Sequence, residues 1–235
     1  MNMEKTWKKL LLQIIEEGHS HTKDDTLIHE IIGVHEFLPA PVAYGLSNDL
    51  STEQYLNLIK KGYFDIQGAV MHGEALHDYV ASLDDSFIID GGDFVYTYPE
   101  RLLNHTTVDR FGEVVQVDQL EIMQYRLTEN PGSNRAVATL YNCGLDGVEE
   151  HIPCLNWIQA LIRNNKLTLT IIFRSNDCYG AWTSNMMFIH YIGFKLVESL
   201  KEKYPLLQYN GLYYNCSSLH IYDNDLDAAK KVVGL

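Results

Sequence analysis

Ile152-Pro153-Cys154-Leu155 is followed by a second stretch, Phe173-Arg174-Ser175-Asn176-Asp177, which begins nineteen residues after Cys154. The two stretches hold four kinds of reactive side chain close together in the chain. Cys154 can attack an electron-poor carbon. Arg174 offers a planar fork of donors that suits a phosphate, and Ser175 can add a hydroxyl contact. Asp177 can accept a hydrogen bond from a ring N–H. Together these residues predict covalent catalysis on a phosphorylated substrate.

The residues around these two stretches predict a pair of neighbouring strands. Two apolar segments, 154–163 and 167–173, flank Asn164-Asn165-Lys166, and this pattern is typical of a β-hairpin. A hairpin would bring Arg174 within reach of Cys154. A thiol needs a nearby positive charge to act as a nucleophile, and Arg174 could supply it.

The remaining elements mix helices and strands without βαβ regularity. Helical periodicity covers 5–17, 118–127 and 185–200, and another helix begins at Ser51 or Thr52 and ends at Gly62. Strands are predicted over 27–34, 136–141 and 219–222, a polar loop over 19–25, and a turn at Gly91-Gly92-Asp93. The pattern favours an α+β fold over a doubly wound α/β fold, with residues 1–235 as one domain.

The composition excludes several classes of function. The chain has 235 residues, is 46% hydrophobic and carries a formal net charge of −13, which argues against nonspecific binding of nucleic acid. No segment is apolar over the length of a membrane span, and the N-terminus is too polar for a signal peptide. The four cysteines lack a CxxC pair and the ten histidines lack HExxH spacing. We therefore expect a cytoplasmic enzyme without a metal site or disulfides.

Each candidate residue also has an ordinary structural interpretation. A cysteine such as Cys154 is most often a small buried hydrophobe. An Arg-Ser pair usually makes a surface ion pair, and Asn176 and Asp177 are common turn residues. His220 and Tyr222 would lie on one face of a strand, which suits either a sugar hydroxyl or ordinary core packing.

The order and spacing of these blocks resemble the thymidylate synthase family. The matching blocks are Pro153-Cys154-Leu155, Arg174-Ser175-Asn176-Asp177, Asn185 and His220-Ile221-Tyr222. The stretches 96–102 and 133–136 fit the middle section of the family. The likeness extends from about Phe94 to Asp225 and is closest to the short archaeal-type members. Phage deoxynucleotide hydroxymethylases of the same superfamily are also similar.

The resemblance implies a mixed sheet packed with helices, with one sheet face forming a homodimer interface. It implies that Cys154 attacks C6 of a pyrimidine nucleotide and makes C5 nucleophilic. Arg174 and Ser175 correspond to the phosphate-binding pair, and Arg135 to an arginine donated across the dimer interface. Lys23 matches a phosphate-binding lysine in a loop, although a lysine there is normally just solvated.

Further roles follow from the same resemblance. Asp177 matches a carboxylate near the pterin and the catalytic water, and His220 and Tyr222 match the pair that holds the deoxyribose 3′-hydroxyl. Asn185 corresponds to the residue that reads the base. Family members acting on uracil carry Asn there, and the cytosine-specific hydroxymethylase carries Asp, so Asn185 favours dUMP. Glu53 is the best match to a proton-moving glutamate, or else an ordinary glutamate in the first turn of a helix.

The implied reaction is methylation of dUMP at C5. The one-carbon donor would be 5,10-methylene-tetrahydrofolate or a methanopterin analogue. The first alternative is a dUMP or dCMP hydroxymethylase, in which water captures the exocyclic methylene. The second is a nucleotide-binding homologue without catalysis, because the chain has Asn134 where the family has an arginine and Leu155 where long bacterial-type enzymes have a histidine.

Overall fold

The computed structural model describes residues 3–23, 25–41, 50–84 and 96–235. The helices are α1 (Met3–Glu17), α2 (Thr52–Lys60), α3 (Gly73–Ala81), α4 (Tyr98–Leu103), α5 (Gln119–Glu129), α6 (Cys143–Asp146), α7 (Trp182–Leu200) and α8 (Leu226–Val233). The strands are β1 (His19–Lys23), β2 (Thr26–Pro39), β3 (His105–Val108), β4 (Val114–Val117), β5 (Val137–Thr139), β6 (Leu155–Arg163), β7 (Lys166–Asp177) and β8 (Gln208–Tyr222).

The predicted hairpin forms the centre of the main sheet. Strands β6 and β7 pair antiparallel, with Arg163 opposite Lys166. Asn164 and Asn165 have φ angles of 51° and 57°, the left-handed values that a two-residue hairpin turn of type I′ requires. Asparagine tolerates this region better than most residues, so the Asn-Asn pair fixes the register that places Arg174 beside Cys154.

The main sheet has six strands in the order β1-β2-β8-β7-β6-β5. Its pairings are antiparallel except for β7 and β8, which run parallel and are joined through α7. Helix α7 is buried along most of its length and packs on β7 and β8. The α+β class is therefore confirmed, with one βαβ unit that the sequence pattern did not reveal.

The alternating burial of residues along β6 and β7 gives the sheet one buried face and one partly exposed face. Ile158, Ala160, Leu169 and Ile171 are fully buried and form part of one core with the helices. Their sequence neighbours face the other side and are partly exposed, because successive strand residues point to opposite faces. Only one face of the sheet is thus covered by the described helices.

Several sequence predictions need correction. The stretch 19–25, predicted as a loop, contains strand β1, which pairs with β2 from His19 to Lys23. Its polar residues suit an edge strand that is exposed on both faces, so they gave no apolar alternation. Helix α3 was not predicted, and strand β8 begins eleven residues before the predicted Leu219. The turn predicted at Gly91-Gly92-Asp93 lies outside the described residues.

The predicted helix start at Ser51 is confirmed. Helix α2 has the N-cap Ser51, whose hydroxyl accepts from the Gln54 N–H in a capping box. The cysteines Cys143, Cys154, Cys178 and Cys216 are free. Among the described residues no helix is long and apolar enough to cross a bilayer.

Buried His190 makes the stability of the fold sensitive to acid. Its ring is fully buried in α7, and its Nδ1 lies 3.0 Å from the Tyr209 hydroxyl. Burial lowers the pKa of His190 from 6.5 to about 3. Below pH 6.5 His190 therefore binds a proton in the unfolded chain but stays neutral in the folded protein. The contribution of neutral His190 to the free energy of unfolding is fully present above this pH and is lost as the pH falls.

We expect a His190→Phe variant to lose part of this pH dependence. Between pH 6 and pH 4, the free energy of unfolding of the unmodified protein should fall more steeply than that of the variant, by about 1.4 kcal/mol per pH unit. Urea titrations at several pH values measure both slopes. His220 and Asp177 also titrate, but they are present in both proteins. Parallel pH curves would contradict the assignment to His190.

Candidate active site

A cavity of about 370 Å³ lies where the ends of β1, β7 and β8 meet α3, α4 and α7. This volume falls within the usual range for small-molecule sites. Seven of the residues predicted for the site line it: Lys23, Cys154, Ser175, Asp177, Asn185, His220 and Tyr222. The fold thus collects residues that lie as far apart as positions 23 and 222 in the chain.

Cys154 immediately precedes β6 and faces the end of β7. Its Sγ lies 3.6 Å from the Ser175 hydroxyl and 3.7 Å from Nη2 of Arg174. The strand pairing sets this approach, because the Arg174 N–H donates to the Cys154 carbonyl at 2.9 Å. A fixed cation therefore stands beside the sulfur, as an activated nucleophile requires.

The Arg174 guanidinium also holds the segment that carries Cys154. Its Nε donates to the Pro153 carbonyl at 3.1 Å and its Nη2 to the Ile152 carbonyl at 2.7 Å. Nη1 donates to the Ser175 hydroxyl at 3.2 Å. Arg174 is not a lining residue of the cavity, and it contacts the nucleophile from the side. It therefore positions Cys154 and Ser175 together.

Two tyrosines that precede and begin α4 complete the surroundings of Cys154. The Tyr96 hydroxyl donates to the Ile152 carbonyl at 3.1 Å, and the Tyr98 hydroxyl accepts from the Leu155 N–H at 3.3 Å. Burial raises the pKa of Tyr96 to about 12, and the nearby Cys154 contributes in the same direction. Burial likewise raises the pKa of Tyr98. Both phenols therefore stay protonated and can donate at neutral pH.

Asn185, in the first turns of α7, presents a buried amide to the cavity. Its Oδ1 accepts from the Tyr79 hydroxyl at 2.7 Å, and its Nδ2 donates to Oδ1 of Asn176 at 3.2 Å. A carboxamide has two N–H donors and two oxygen lone pairs, so one of each remains for a ligand. The amide can therefore offer one donor and one acceptor side by side.

Asp177 ends β7 and closes the turn into α7. Its Oδ1 accepts from the N–H groups of Tyr179 and Gly180, both at 3.0 Å. A Cβ on Gly180 would lie only 2.3 Å from Oδ2 of Asp177, so a larger residue at this position would displace the carboxylate. Burial raises the pKa of Asp177, while the two backbone N–H groups oppose the shift. Since Oδ1 is occupied by the backbone, Oδ2 is the oxygen that can accept from a ligand.

His220 and Tyr222 lie near the end of β8 on the cavity side. Neither ring nitrogen of buried His220 meets a hydrogen-bond partner among the described residues. Burial lowers the pKa of His220 to about 4, and the charge of Lys23 adds to the effect. The ring is therefore neutral at neutral pH, with one donor and one acceptor for a ligand hydroxyl. Lys23, at the end of β1 rather than in a loop, places a cation at the same end of the cavity.

Two predicted site residues lie elsewhere. Glu53 is exposed in the first turn of α2 and does not line the cavity, so its position fits the ordinary interpretation of a glutamate near a helix N-terminus. Arg135 is exposed just before β5 and does not reach the cavity of its own chain. Its neighbour Asn134 accepts from Arg163 through Oδ1 at 2.7 Å. Leu155 is fully buried in the core.

The sequence did not identify several residues of the cavity wall. Tyr79, Ser82 and Phe188 come from α3, its C-cap and α7, and they line the cavity. The region of Tyr79 gave no readable pattern, and Phe188 looked like any apolar residue of a buried helix. Within the described ranges no cluster of three His, Cys, Asp or Glu residues could hold a metal ion.

The chain is similar to known proteins of one family. The family model "Thymidylate synthase" matches residues 66–234. A protein of Methanothermobacter thermautotrophicus named "Putative thymidylate synthase" is 26% identical over 233 residues, which cover 97% of this chain and 93% of the relative. A protein of the same name from Methanosarcina mazei is 34% identical over 161 residues, covering 68% of this chain and 67% of the relative.

A phage enzyme is also related. The deoxycytidylate 5-hydroxymethyltransferase of Enterobacteria phage T6 is 29% identical over 112 residues, which cover 44% of this chain and 45% of that enzyme. The family model covers well over half of the chain, and the cavity holds the cysteine, serine, asparagine and histidine that the sequence blocks had suggested. The chain belongs to the thymidylate synthase family.

Proposed function

We propose that this protein methylates dUMP at C5 with a methylene-tetrahydropterin, through a covalent adduct of Cys154 at C6. The observation that carries the proposal is the meeting of Cys154, Ser175, Asn185 and His220 in one cavity beside Arg174. These groups match the phosphate, base and sugar of a pyrimidine nucleotide. Membership in the family supports one-carbon transfer as the class of reaction.

The chemistry begins at the sulfur of Cys154. The thiolate adds to C6 and forms a C–S bond, while the electron pair of the C5–C6 double bond moves toward C5 and O4. The resulting enolate carries negative charge that nearby donors must stabilise. Asn185 and the protonated phenol of Tyr98 line the cavity and can donate to this charge, because the Tyr98 oxygen accepts from the Leu155 N–H and keeps its own hydrogen.

The amide of Asn185 supports uracil as the base. Its free Nδ2 hydrogen can donate to O4, and the second lone pair of Oδ1 can accept from N3–H. Lys23 and Ser175 line the cavity and suit the phosphate, and Arg174 donates to the Ser175 hydroxyl from the side. His220 has unpaired ring nitrogens that suit the 3′-hydroxyl of the sugar.

The wall of the cavity also fits a reduced pterin. Tyr96, Tyr98 and Phe188 give a flat ring an aromatic surface, and Oδ2 of Asp177 can accept from a ring N–H. When bound, the methylene-tetrahydropterin would supply the carbon and, for methylation, the hydride. These contacts suit the ring shared by folates and methanopterins, so either class of donor is compatible with them.

Product analysis with dUMP and 5,10-methylene-tetrahydrofolate tests the proposal. Methylation should yield dTMP and dihydrofolate in equal amounts, because the pterin gives up a hydride. Parallel reactions with dCMP should be slower. Absence of turnover, with retained binding of dUMP and with a methanopterin donor also inactive, would favour a nucleotide-binding homologue instead.

Hydroxymethylation is the second candidate, and the likeness to the phage T6 deoxycytidylate hydroxymethyltransferase favours it. In this reaction water adds to the exocyclic methylene, and tetrahydrofolate leaves unoxidised. The same incubation distinguishes the two reactions. Formation of a hydroxymethyl nucleotide together with tetrahydrofolate would contradict methylation and support hydroxymethylation.

We further propose that the outer face of the sheet forms a homodimer interface. On this face Ile172 and Tyr213 are 40% and 42% exposed, and Phe37 packs against the Tyr213 ring at 4.9 Å. An aromatic and aliphatic sheet face of this kind suits contact with a second copy. Arg135, which does not reach its own cavity, would then be available to the partner.

A Tyr213→Glu variant should therefore become monomeric. The proposed interface would then bury a carboxylate from each subunit, and unpaired buried charge is strongly unfavourable. Sedimentation velocity should give a mass near twice 26.9 kDa for the unmodified protein and near 26.9 kDa for the variant. Tyr125→Glu, on the exposed surface of α5, is the control. An unmodified protein that sediments as a monomer would refute the interface.

A further inference from the structure

A serine, a histidine and an aspartate form a row of hydrogen bonds at one edge of the main sheet. The hydroxyl of Ser20 in β1 lies 2.8 Å from Nδ1 of His29 in β2. Nε2 of the same ring lies 2.8 Å from Oδ1 of Asp223, the first residue after β8. Both nitrogens of the imidazole are therefore engaged, one by a hydroxyl and the other by a carboxylate.

The register of three strands brings these side chains together. Ser20 lies directly opposite His29 in the antiparallel pair of β1 and β2, so both side chains point to the same face. His29 in turn lies opposite Ile221, and Asp223 follows Ile221 by two residues. The backbone pairing of the sheet therefore sets the arrangement.

The row lies on the side of the sheet edge that faces away from the cavity. Lys23 lines the cavity from β1, and Ser20 points to the opposite face because three positions separate the two residues. Ser20 is exposed, and the His29 side chain is 18% exposed. Because β1 is an edge strand of the sheet, a small molecule can reach the Ser20 hydroxyl from solvent without entering the cavity.

Asp223 decides which nitrogen of His29 carries the hydrogen. A carboxylate oxygen can only accept, so Nε2 donates to Asp223. In the neutral imidazole Nδ1 then has a free lone pair, and it accepts from the Ser20 O–H. The ring is thus oriented to remove the proton from the Ser20 oxygen, as the base beside a hydroxyl nucleophile must do.

We propose that Ser20 is a nucleophile that accepts acyl groups from small esters, with His29 as its general base and Asp223 as a positioning residue. The Ser20 oxygen bonds to the carbonyl carbon of the ester while its proton moves to Nδ1 of His29. The tetrahedral intermediate then expels the alcohol oxygen, which takes that proton from Nδ1. The products are O-acylated Ser20 and the free alcohol, and the imidazole is neutral again.

Acetylation of the full-length protein by p-nitrophenyl acetate tests the proposal. Peptide mapping by mass spectrometry after timed incubations gives the rate of acetylation at each serine. Ser199 is an exposed serine whose hydroxyl donates to the Leu196 carbonyl at 3.0 Å, so it measures the reaction of a serine without a base. Ser20 should be acetylated about 100-fold faster than Ser199, the order of magnitude that general base catalysis contributes.

Variants of His29 and Asp223 separate base catalysis from simple exposure. His29→Gln keeps a polar side chain but removes the base, so acetylation of Ser20 should slow about 100-fold. Asp223→Asn should slow it roughly tenfold or more, because an amide that donates to Nε2 leaves the ring hydrogen on Nδ1, where it blocks the base.

Two results would overturn the proposal. One is equal acetylation of Ser20 and Ser199 in the unmodified protein, a comparison that holds even if a variant fails to fold. The other is an unchanged rate at Ser20 in His29→Gln, since Ser20 would then react only because it is exposed. Turnover of dUMP does not enter either measurement, so neither result bears on the proposed function.

Discussion

Replacing Cys154 with serine should reduce turnover of dUMP by roughly 10⁴-fold or more while leaving nucleotide binding nearly intact. The serine hydroxyl is a much poorer nucleophile, so the bond to C6 would not form at a useful rate. The contacts that Arg174 makes with the Ile152 and Pro153 carbonyls do not involve the sulfur, so the segment should keep its shape. Steady-state kinetics and calorimetry with dUMP measure the two effects separately.

Cys143 provides a matched control because it is free and exposed. Cys143→Ser should retain the activity of the unmodified protein. Activity of Cys154→Ser close to that of the unmodified protein would rule out the covalent mechanism. Loss of dUMP binding in this variant would instead indicate that Cys154 supports the site structurally.

The second large effect is expected for Arg174→Lys, which keeps the charge but removes the fork. The guanidinium uses separate nitrogens for the two carbonyls and Ser175. A lysine ammonium is a single point on a flexible stem and cannot reach all three positions. We expect kcat/KM to fall about 100-fold, which corresponds to about 2.7 kcal/mol of transition-state stabilisation.

Stability should fall as well in Arg174→Lys. Hydrogen bonds to a charged group contribute about 1.5–3 kcal/mol each, and at least one carbonyl would lose its partner. The free energy of unfolding measured in urea should therefore drop by about 2 kcal/mol. Arg126→Lys, at an exposed position of α5, controls for the exchange of residue type. Full activity in Arg174→Lys would show that charge alone suffices beside Cys154.

The β6–β7 hairpin at the centre of the main sheet was predictable from residues that are close together in the sequence. The Asn164-Asn165 turn and the apolar alternation around it fixed the β6–β7 hairpin, and this pairing alone accounts for the contact of Arg174 with Cys154. The helices with clear caps and periodicity, such as α1 and α2, were also predictable. These features depend on residues near each other in the chain.

Features that depend on distant parts of the chain were not predictable. Strand β1 is polar because it lies at an edge, so it had no apolar signal, and only its pairing with β2 defines it. Tyr79 joins Asn185 across 106 positions, and no local pattern marks that contact. Glu53 was matched to the family's proton-moving glutamate by its order along the chain, but it lies in α2 and does not line the cavity. The resemblance to a family indicated that the substrate is a pyrimidine nucleotide, whereas the spacing of the residues alone did not.

The most direct test of the central claim is to trap the covalent adduct at Cys154. In 5-fluoro-dUMP the proton that must leave C5 is replaced by fluorine, which cannot leave as a cation, so the reaction stops at the adduct. After incubation with this nucleotide and methylene-tetrahydrofolate, denaturing mass spectrometry should show the protein with both molecules attached, and peptide mapping should place them on Cys154. A protein that turns over dUMP but forms no adduct, or forms it at Cys143, Cys178 or Cys216, would contradict the account.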